Sequence, residues 1–492
     1  MLAGFDMNTL VTIAIALPFI GAIIVNSLDR WPNVREGATL ITAVLLFIVV
    51  LALYQPVMAG QSPEATWFYL FPGLSVSFSL EPLGMIFALI ASFLWIVTSI
   101  YAIGYMRGHH ETNQTRFFTC FALAISSVMG IALADNLLTL FIFYEVLTFS
   151  TYPLVTHAGT DAAKRGGRIY LSILVSTSVA FLLFAILATW HFAGTLDFKA
   201  GGILADKASP AILSGILVLF AFGIGKAALM PFHHWLPNAM VAPTPVSALL
   251  HAVAVVKAGV FSVLKVAIYI FGIDTLKALP ATDFVLYVGA FTIVLASLIA
   301  MTKDNLKARL AYSTVSQLSY IIVGAMLASS AGILGGSMHI ATHAFGKITL
   351  FFCAGAIMVA AHKNKVSELV GIGKAMPLTM VAFMIGTLSI IGLPPLGGTW
   401  SKWFLMMGAL ETHHLVIVGV LIVSTLLNIA YLLPIPIRAF YSTESDKQQS
   451  GLKEAPLPCL IAMTVTSIGC LLLFFYPEPF YALANKLPGV SL

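Results

Sequence analysis

Apolar residues run in blocks of about 20 along nearly the whole chain, separated by short polar punctuation. A block of that length, wound as an α-helix, matches the hydrocarbon thickness of a bilayer. Fourteen such blocks are read near 8–28, 37–58, 82–106, 115–134, 136–157, 167–193, 210–230, 244–271, 283–302, 306–328, 332–361, 376–410, 414–437 and 456–477. The stretch "WFYLFPGLSVSFSLEPLG", 67–84, departs from this pattern and reads as a short extended hairpin or an interfacial segment. Two blocks carry helix breakers: "ALMPFHHWLPNAMVAPTP", 228–245, after the lysine of the seventh, and "IGLPPLGGTWSKWF", 391–404, inside the twelfth. Proline removes a backbone donor and glycine loosens the turn, so both helices should unwind there. Unwound backbone at membrane depth survives only where protein or water satisfies it.

Paired broken helices five spans apart point to an inverted-repeat membrane fold. The expected architecture is an all-α polytopic membrane protein with about fourteen transmembrane helices. Spans four to eight and nine to thirteen form two inverted five-helix repeats, and spans seven and twelve are the broken ones. The expected divisions are 1–110 for the first three helices, 111–271 and 272–440 for the repeats, and 441–492 for the last helix. The glycines Gly332, Gly335 and Gly336, and Gly392, Gly397 and Gly398, read as close helix packing and breaks.

Charge tests the count of spans. Of 492 residues 59% are hydrophobic and 9% charged, against about 25% charged in soluble domains. With fourteen spans, sixteen lysines and arginines fall on one side, among them Arg107, Arg116, Lys164, Lys303, Lys307 and Lys447, and only Lys199, Lys207, Lys277 and Lys486 on the other. A miscounted span would scramble that asymmetry. The positive-inside rule then places both termini outside the cytoplasm, in a multi-pass protein of the cell inner (plasma) membrane. The first charge is Asp6, so no basic leader region opens the chain and the first block is expected to remain as a span. The net charge of +5 resides in short loops and carries no expectation of a nucleic-acid partner. Cys120, Cys353, Cys459 and Cys470 stand singly in apolar segments and read as small buried thiols.

Five lysines remain inside spans: Lys226, Lys257, Lys265, Lys347 and Lys402. Each costs roughly 2.5–3.5 kcal/mol at a helix centre, so partners or water must offset a sum on the order of 10 kcal/mol. Glu145, in "LFIFYEVLTFSTYPL", is the one acid well inside a span. Burial disfavours an ammonium and a nearby carboxylate favours it. A lysine held between the two can change protonation state when its neighbour does, which is what a proton relay requires. Lys265, nearer the outer end of its helix, fits snorkelling equally well. Histidine, titrating near neutrality, supplies intermediates: His251 precedes Lys257 on the same span, and His339, His343 and Lys347 follow one another by single turns in "HIATHAFGK". Adjacent His233 and His234 should diverge, which disfavours a ligand pair. No carboxylate or thiol cluster offers a metal site, and no Gly-rich phosphate loop is present. No cofactor is expected.

The motifs "ADNLLTLFIFYEVLTFSTYPL", "GKAALMPFHHWLPNAMVAPTPVSALLHAVAVVKAG", "DNLKARLAYSTVSQLSYIIVGAML", "HIATHAFGKITLFFCAGAIM" and "GLPPLGGTWSKWF", in this order, resemble the antiporter-like membrane subunits shared by Mrp-type multisubunit cation/proton antiporters and respiratory complex I. The resemblance covers roughly spans three to thirteen and is nearest to the D-type member of the Mrp antiporters. It implies that Glu145 pairs with Lys226, and that Lys257 and His343 continue a polar axis to Lys402. Gln317 stands where complex I carries a histidine, which weakens the middle of the relay unless water fills it. Lysine rather than glutamate at 402 argues against the complex I subunit with an acid there. No long lateral helix follows residue 477, which disfavours the larger members.

The expected function is thus a proton-translocating subunit of a monovalent cation (Na+)/proton antiporter, working with other membrane subunits. The alternative is the proton-pumping arm of a complex I-like NADH:quinone oxidoreductase or membrane-bound hydrogenase. A mere membrane scaffold would have no use for this buried acid–lysine arrangement.

Overall fold

Prolines and small polar caps decide where the apolar helices begin. Proline occupies the first turn of the helices starting at Pro32, Pro82, Pro210, Pro280, Pro377 and Leu457, where its missing N–H is not needed. Asn136, Thr160, Asn305 and Ser329 cap four others by accepting a backbone N–H. The computed structural model describes residues 6–441 and 451–491, with the backbone alone of Leu250 and His251. Lys447 and the side chain of His251 lie outside the described residues.

Ten helices among the described residues are long and apolar enough to cross a membrane. Leu306–Met326 adds a less apolar tenth span. The eighth span is a composite, with π turns at Leu249–Val253 and Ala267–Phe271 flanking the helix Val255–Val266. Spans seven and twelve are broken, as Pro210–Gly223 continued by short turns, and Pro377–Ile391 continued by Gly398–Glu411. All fourteen expected segments are accounted for. A further π turn, Ser178–Leu182, interrupts the sixth. The segment after the second span is an antiparallel hairpin, Glu64–Phe71 with Leu74–Ser79.

The loops interlock on two faces. On the basic face Arg35 donates to Thr115 (2.8 Å), Arg107 binds Glu36, Arg116 donates to the His157 carbonyl (3.0 Å) and Lys453 N to the Ala375 carbonyl (2.8 Å). On the opposite face Ser79 N donates to Leu133 O, Leu137 N to Leu196 O and Ile203 N to Ile270 O. The fourth span starts on the basic face at Gln114 and the ninth starts on the opposite face at Pro280, so the two five-helix repeats run inverted. In each, the first two helices pack as a pair, four on five and nine on ten. The eleventh span, Ser330–Ala361, is the central column and packs against spans three, eight, ten, twelve and fourteen.

Candidate functional site

The seventh span stops earlier than its hydropathy suggests. Its helix ends at Gly223, and Lys226 sits within the unwound stretch, in a single tight turn Gly225–Ala227. The reason is close packing: a Cβ at Gly223 would overlap Leu182 N, and one at Gly225 would overlap Thr177 Oγ1. Unwinding turns the lysine onto the fifth span. Its Nζ donates to Tyr144 O (2.8 Å) and Thr148 Oγ1 (2.6 Å) and lies 3.2 Å from the Tyr144 ring centroid, while its backbone N donates to Tyr144 Oη (3.0 Å).

Glu145 therefore does not form the expected contact ion pair with Lys226: among the described residues no salt bridge within 4.0 Å joins them. The carboxylate is half-buried, and its Oε1 has no hydrogen-bond partner. Successive side chains on a helix are rotated by about 100°, so with the Tyr144 carbonyl and Thr148 facing the ammonium, Glu145 points aside.

The eighth span crosses Lys226 at Gly259, where a Cβ would overlap Ala227 N and the Lys226 carbonyl carbon. Two residues earlier, Lys257 Nζ lies 2.5 Å from His343 Nδ1. This contact joins the first repeat to the second directly, so the Gln317 departure leaves no gap at this point. His343 and His339 follow at 5.7 Å between ring centroids. His339 Nδ1 lies 2.9 Å from Ser401 Oγ, which is also 3.1 Å from Thr342 Oγ1. Stacked on His339 (5.5 Å, 17°) is Tyr320, and Lys402 Nζ lies 5.0 Å from the Tyr320 centroid.

Lys402 closes this series beside the second break. Gly392, at φ 88°, ends the first half-helix, and Lys402 Nζ caps it by donating to Ile391 O (2.9 Å). Lys226, Lys257, Lys265 and Lys347 are fully buried, whereas Lys402 is half-buried.

Two lysines leave the axis. Lys347 turns from the two histidines to Ser313 Oγ (2.6 Å); Tyr431 Oη lies 2.8 Å from the same oxygen, from whose hydroxyl it can accept, and donates to Asn428 Oδ1. Lys265 does not snorkel. Its Nζ is 3.1 Å from Glu81 Oε1, donates to Ala134 O (2.8 Å) and lies 4.7 Å from the Phe198 centroid. Glu81 simultaneously caps the third span through Leu83 N and Gly84 N and accepts from Tyr269 Oη. Glu81→Ala is expected to cost about 3–5 kcal/mol, because it strands a buried ammonium. Lys265→Met should cost less, since the carboxylate keeps its backbone donors; thermal unfolding in detergent measures both. His233 and His234, expected to diverge, lie 4.1 Å apart at 36°, because the turn that carries them is not helical.

The sequence did not single out Tyr144, Thr148, Ser401 or Tyr320. The available signal was one of spacing: Thr148 lies four residues after Tyr144 on one helix face, and Ser401 adjoins Lys402.

Residues 134–428 match the family described as NADH:quinone oxidoreductase/Mrp antiporter. Residues 67–118 match the one described as NADH-ubiquinone oxidoreductase (complex I), chain 5 N-terminus. NADH-quinone oxidoreductase subunit N of Desulforudis audaxviator is 30% identical over 443 residues, 85% of this chain and 86% of that protein. NAD(P)H-quinone oxidoreductase chain 5 of Synechocystis sp. is 33% identical over 354 residues, 67% of this chain; the chain spans only 49% of that longer protein. Among solved structures, a chain of the Mrp complex from Dietzia sp. superposes with a TM-score of 0.86 at 20% identity, covering 98% of both chains. A chain of the membrane-bound sulfane sulfur reductase, an archaeal respiratory membrane complex, gives 0.84 at 22%, covering 97% of this chain and 96% of that one. These likenesses carry the fold across nearly the whole length, and the family match covers both breaks and most of both repeats. The chain belongs to the family of antiporter-like membrane subunits shared by Mrp antiporters and NADH:quinone oxidoreductases.

Proposed function

We propose that this chain is the proton-translocating subunit of a multisubunit monovalent cation (Na+)/proton antiporter, with its basic face towards the cytoplasm and both termini outside it. Other membrane subunits of the assembly are its partners. The observation that carries the reading is the Lys257–His343 contact. It sets two buried side chains, each able to hold or pass a proton, against one another at the junction of two inverted repeats, each with a lysine at its broken helix. Protons pass from Lys226 and Lys257 through His343 and His339 to Lys402, with Glu145 biasing the charge at the start. His251 belongs to the same span as Lys257, and Lys347 forms a side branch through Ser313 and Tyr431. Lysine at 402 supports the antiporter, while the nearly full-length likenesses to a chain of an Mrp complex and to a chain of an archaeal respiratory complex fit both readings. The identity of 30% or more to quinone oxidoreductase subunits favours the second reading, a proton-pumping arm of a redox complex.

The test is sodium-dependent dissipation of a proton gradient in inverted vesicles holding the whole complex. Wild type should respond to sodium. Glu145→Gln should lose transport at unchanged complex level, while Glu145→Asp keeps a part of it. Gradient formation driven by a reduced donor, with no response to sodium, would select the redox reading. Near-normal transport by the Gln variant would remove Glu145 from the path.

A further inference from the structure

Away from the lysine–histidine axis, the basic face carries a pocket of about 500 Å3 that brings the loop after the third span against the starts of the eighth and tenth. Tyr105, His109, Glu111, Thr244 and Lys307 contribute to its walls. Glu111 is held between two imidazoles: His109 Nδ1 is 3.1 Å from Oε1 and His157 Nε2 is 3.9 Å from Oε2. The three side chains grade from water inwards, at 32%, 17% and 1% exposure for His109, Glu111 and His157. Among the described residues neither ring nitrogen of His157 closes a full-strength hydrogen bond, its nearest polar neighbours being the Glu111 carboxylate and the Thr112 backbone.

The other charged neighbours are Lys307, whose Nζ donates to Ala242 O (2.7 Å) and which feels the Glu111 charge, and Arg116, bound to the His157 carbonyl. His109 stacks on Tyr105 (5.7 Å), and Tyr105 Oη lies 3.5 Å from Thr244 Oγ1 at the head of the eighth span. One turn further along that span, Ser247 Oγ is buried and has no hydrogen-bond partner among the described residues. A cluster that merely tied loops together would close its contacts to hydrogen-bond length. Here the most buried imidazole is left at 3.9 Å from the carboxylate, beside a pocket whose wall includes Glu111 and reaches Thr244 at the head of the eighth span.

We propose that His109, Glu111 and His157 form a proton-collecting site on the basic face that feeds the eighth span, and hence Lys257. The step is a simple transfer: hydronium or a buffer acid gives its proton to the Glu111 carboxylate or a flanking imidazole, and water or the buffer base leaves. Burial holds His157 below the usual imidazole range, and the Glu111 carboxylate acts in the opposite direction. Removing that carboxylate should therefore leave the site proton-bound only at lower pH.

This inference rests on the proton-translocation reading. Proton uptake into inverted vesicles of the whole complex, driven by sodium loaded inside them so that protons enter from the basic face, is measured as a function of external pH for wild type, Glu111→Gln, Glu111→Asp and His157→Gln. Glu111→Gln should reduce flux about tenfold at alkaline pH, as a one-unit fall in proton affinity would, and shift the alkaline limb to lower pH. Added imidazole buffer should restore the rate, and Glu111→Asp should retain it. Unchanged flux and pH profile in Glu111→Gln, at equal complex level, overturn the proposal alone. So does a loss that neither imidazole nor the Asp variant relieves, which marks a loop tie. Wild-type vesicles without proton flux overturn the underlying function, and this site with it.

Discussion

His343→Ala is expected to lower proton flux through the complex by about a hundredfold, at the low end of what a positioned proton carrier contributes. The expectation follows from its 2.5 Å contact with Lys257, a direct side-chain link between the repeats. Removing the ring leaves the lysine facing a small void in the central column, and the proton must then cross by water alone. His339→Ala should cost much less. The oxygens of Thr342 and Ser401 lie 3.1 Å apart, so a hydroxyl bridge remains after the outer imidazole is gone. Stopped-flow measurement of the collapse of an imposed proton gradient separates the two. Equal, small losses from both variants would make these histidines packing residues.

Lys402→Arg should abolish transport as fully as Lys402→Ala, although it preserves the charge. Guanidinium does not release its proton at working pH, and a terminal carrier that cannot discharge blocks everything behind it. The geometry makes the comparison sharp. Lys402 reaches the carbonyl of Ile391 across the glycine break and is half-buried, so it stands at the boundary between the axis and one surface. Arginine can make the same carbonyl bond, so the variant removes proton release more than structure. Full antiport by Lys402→Arg would identify the residue as a static counter-charge.

The spans, the two breaks and the basic face are legible in the sequence because each follows from one-dimensional quantities: block length, proline and glycine position, and the sign of loop charge. The axis lysines are legible for the same reason, since an ammonium in an apolar block is conspicuous. What surrounds each lysine is not. Whether Lys226 meets Glu145 or its neighbours depends on the rotation of the fifth span and on where the seventh unwinds, which the glycine contacts with the sixth decide. Lys265 and Glu81 are 184 residues apart, and the acid lies in a cap just outside its span. No local periodicity connects them.

The crossing at Gly259 bears on how such a protein can be driven. Two backbones meet there with no side chain between them, like meshed teeth, and the eighth span cannot slide or rotate against the unwound turn without forcing main-chain atoms together. A machine that exposed its lysines alternately by rocking one bundle past the other would need play at this junction. With the scaffold locked, the remaining moving parts are protons, waters and rotamers. Direction is then a matter of the order in which neighbouring charges appear and vanish, as in an electrical circuit whose wires stay still.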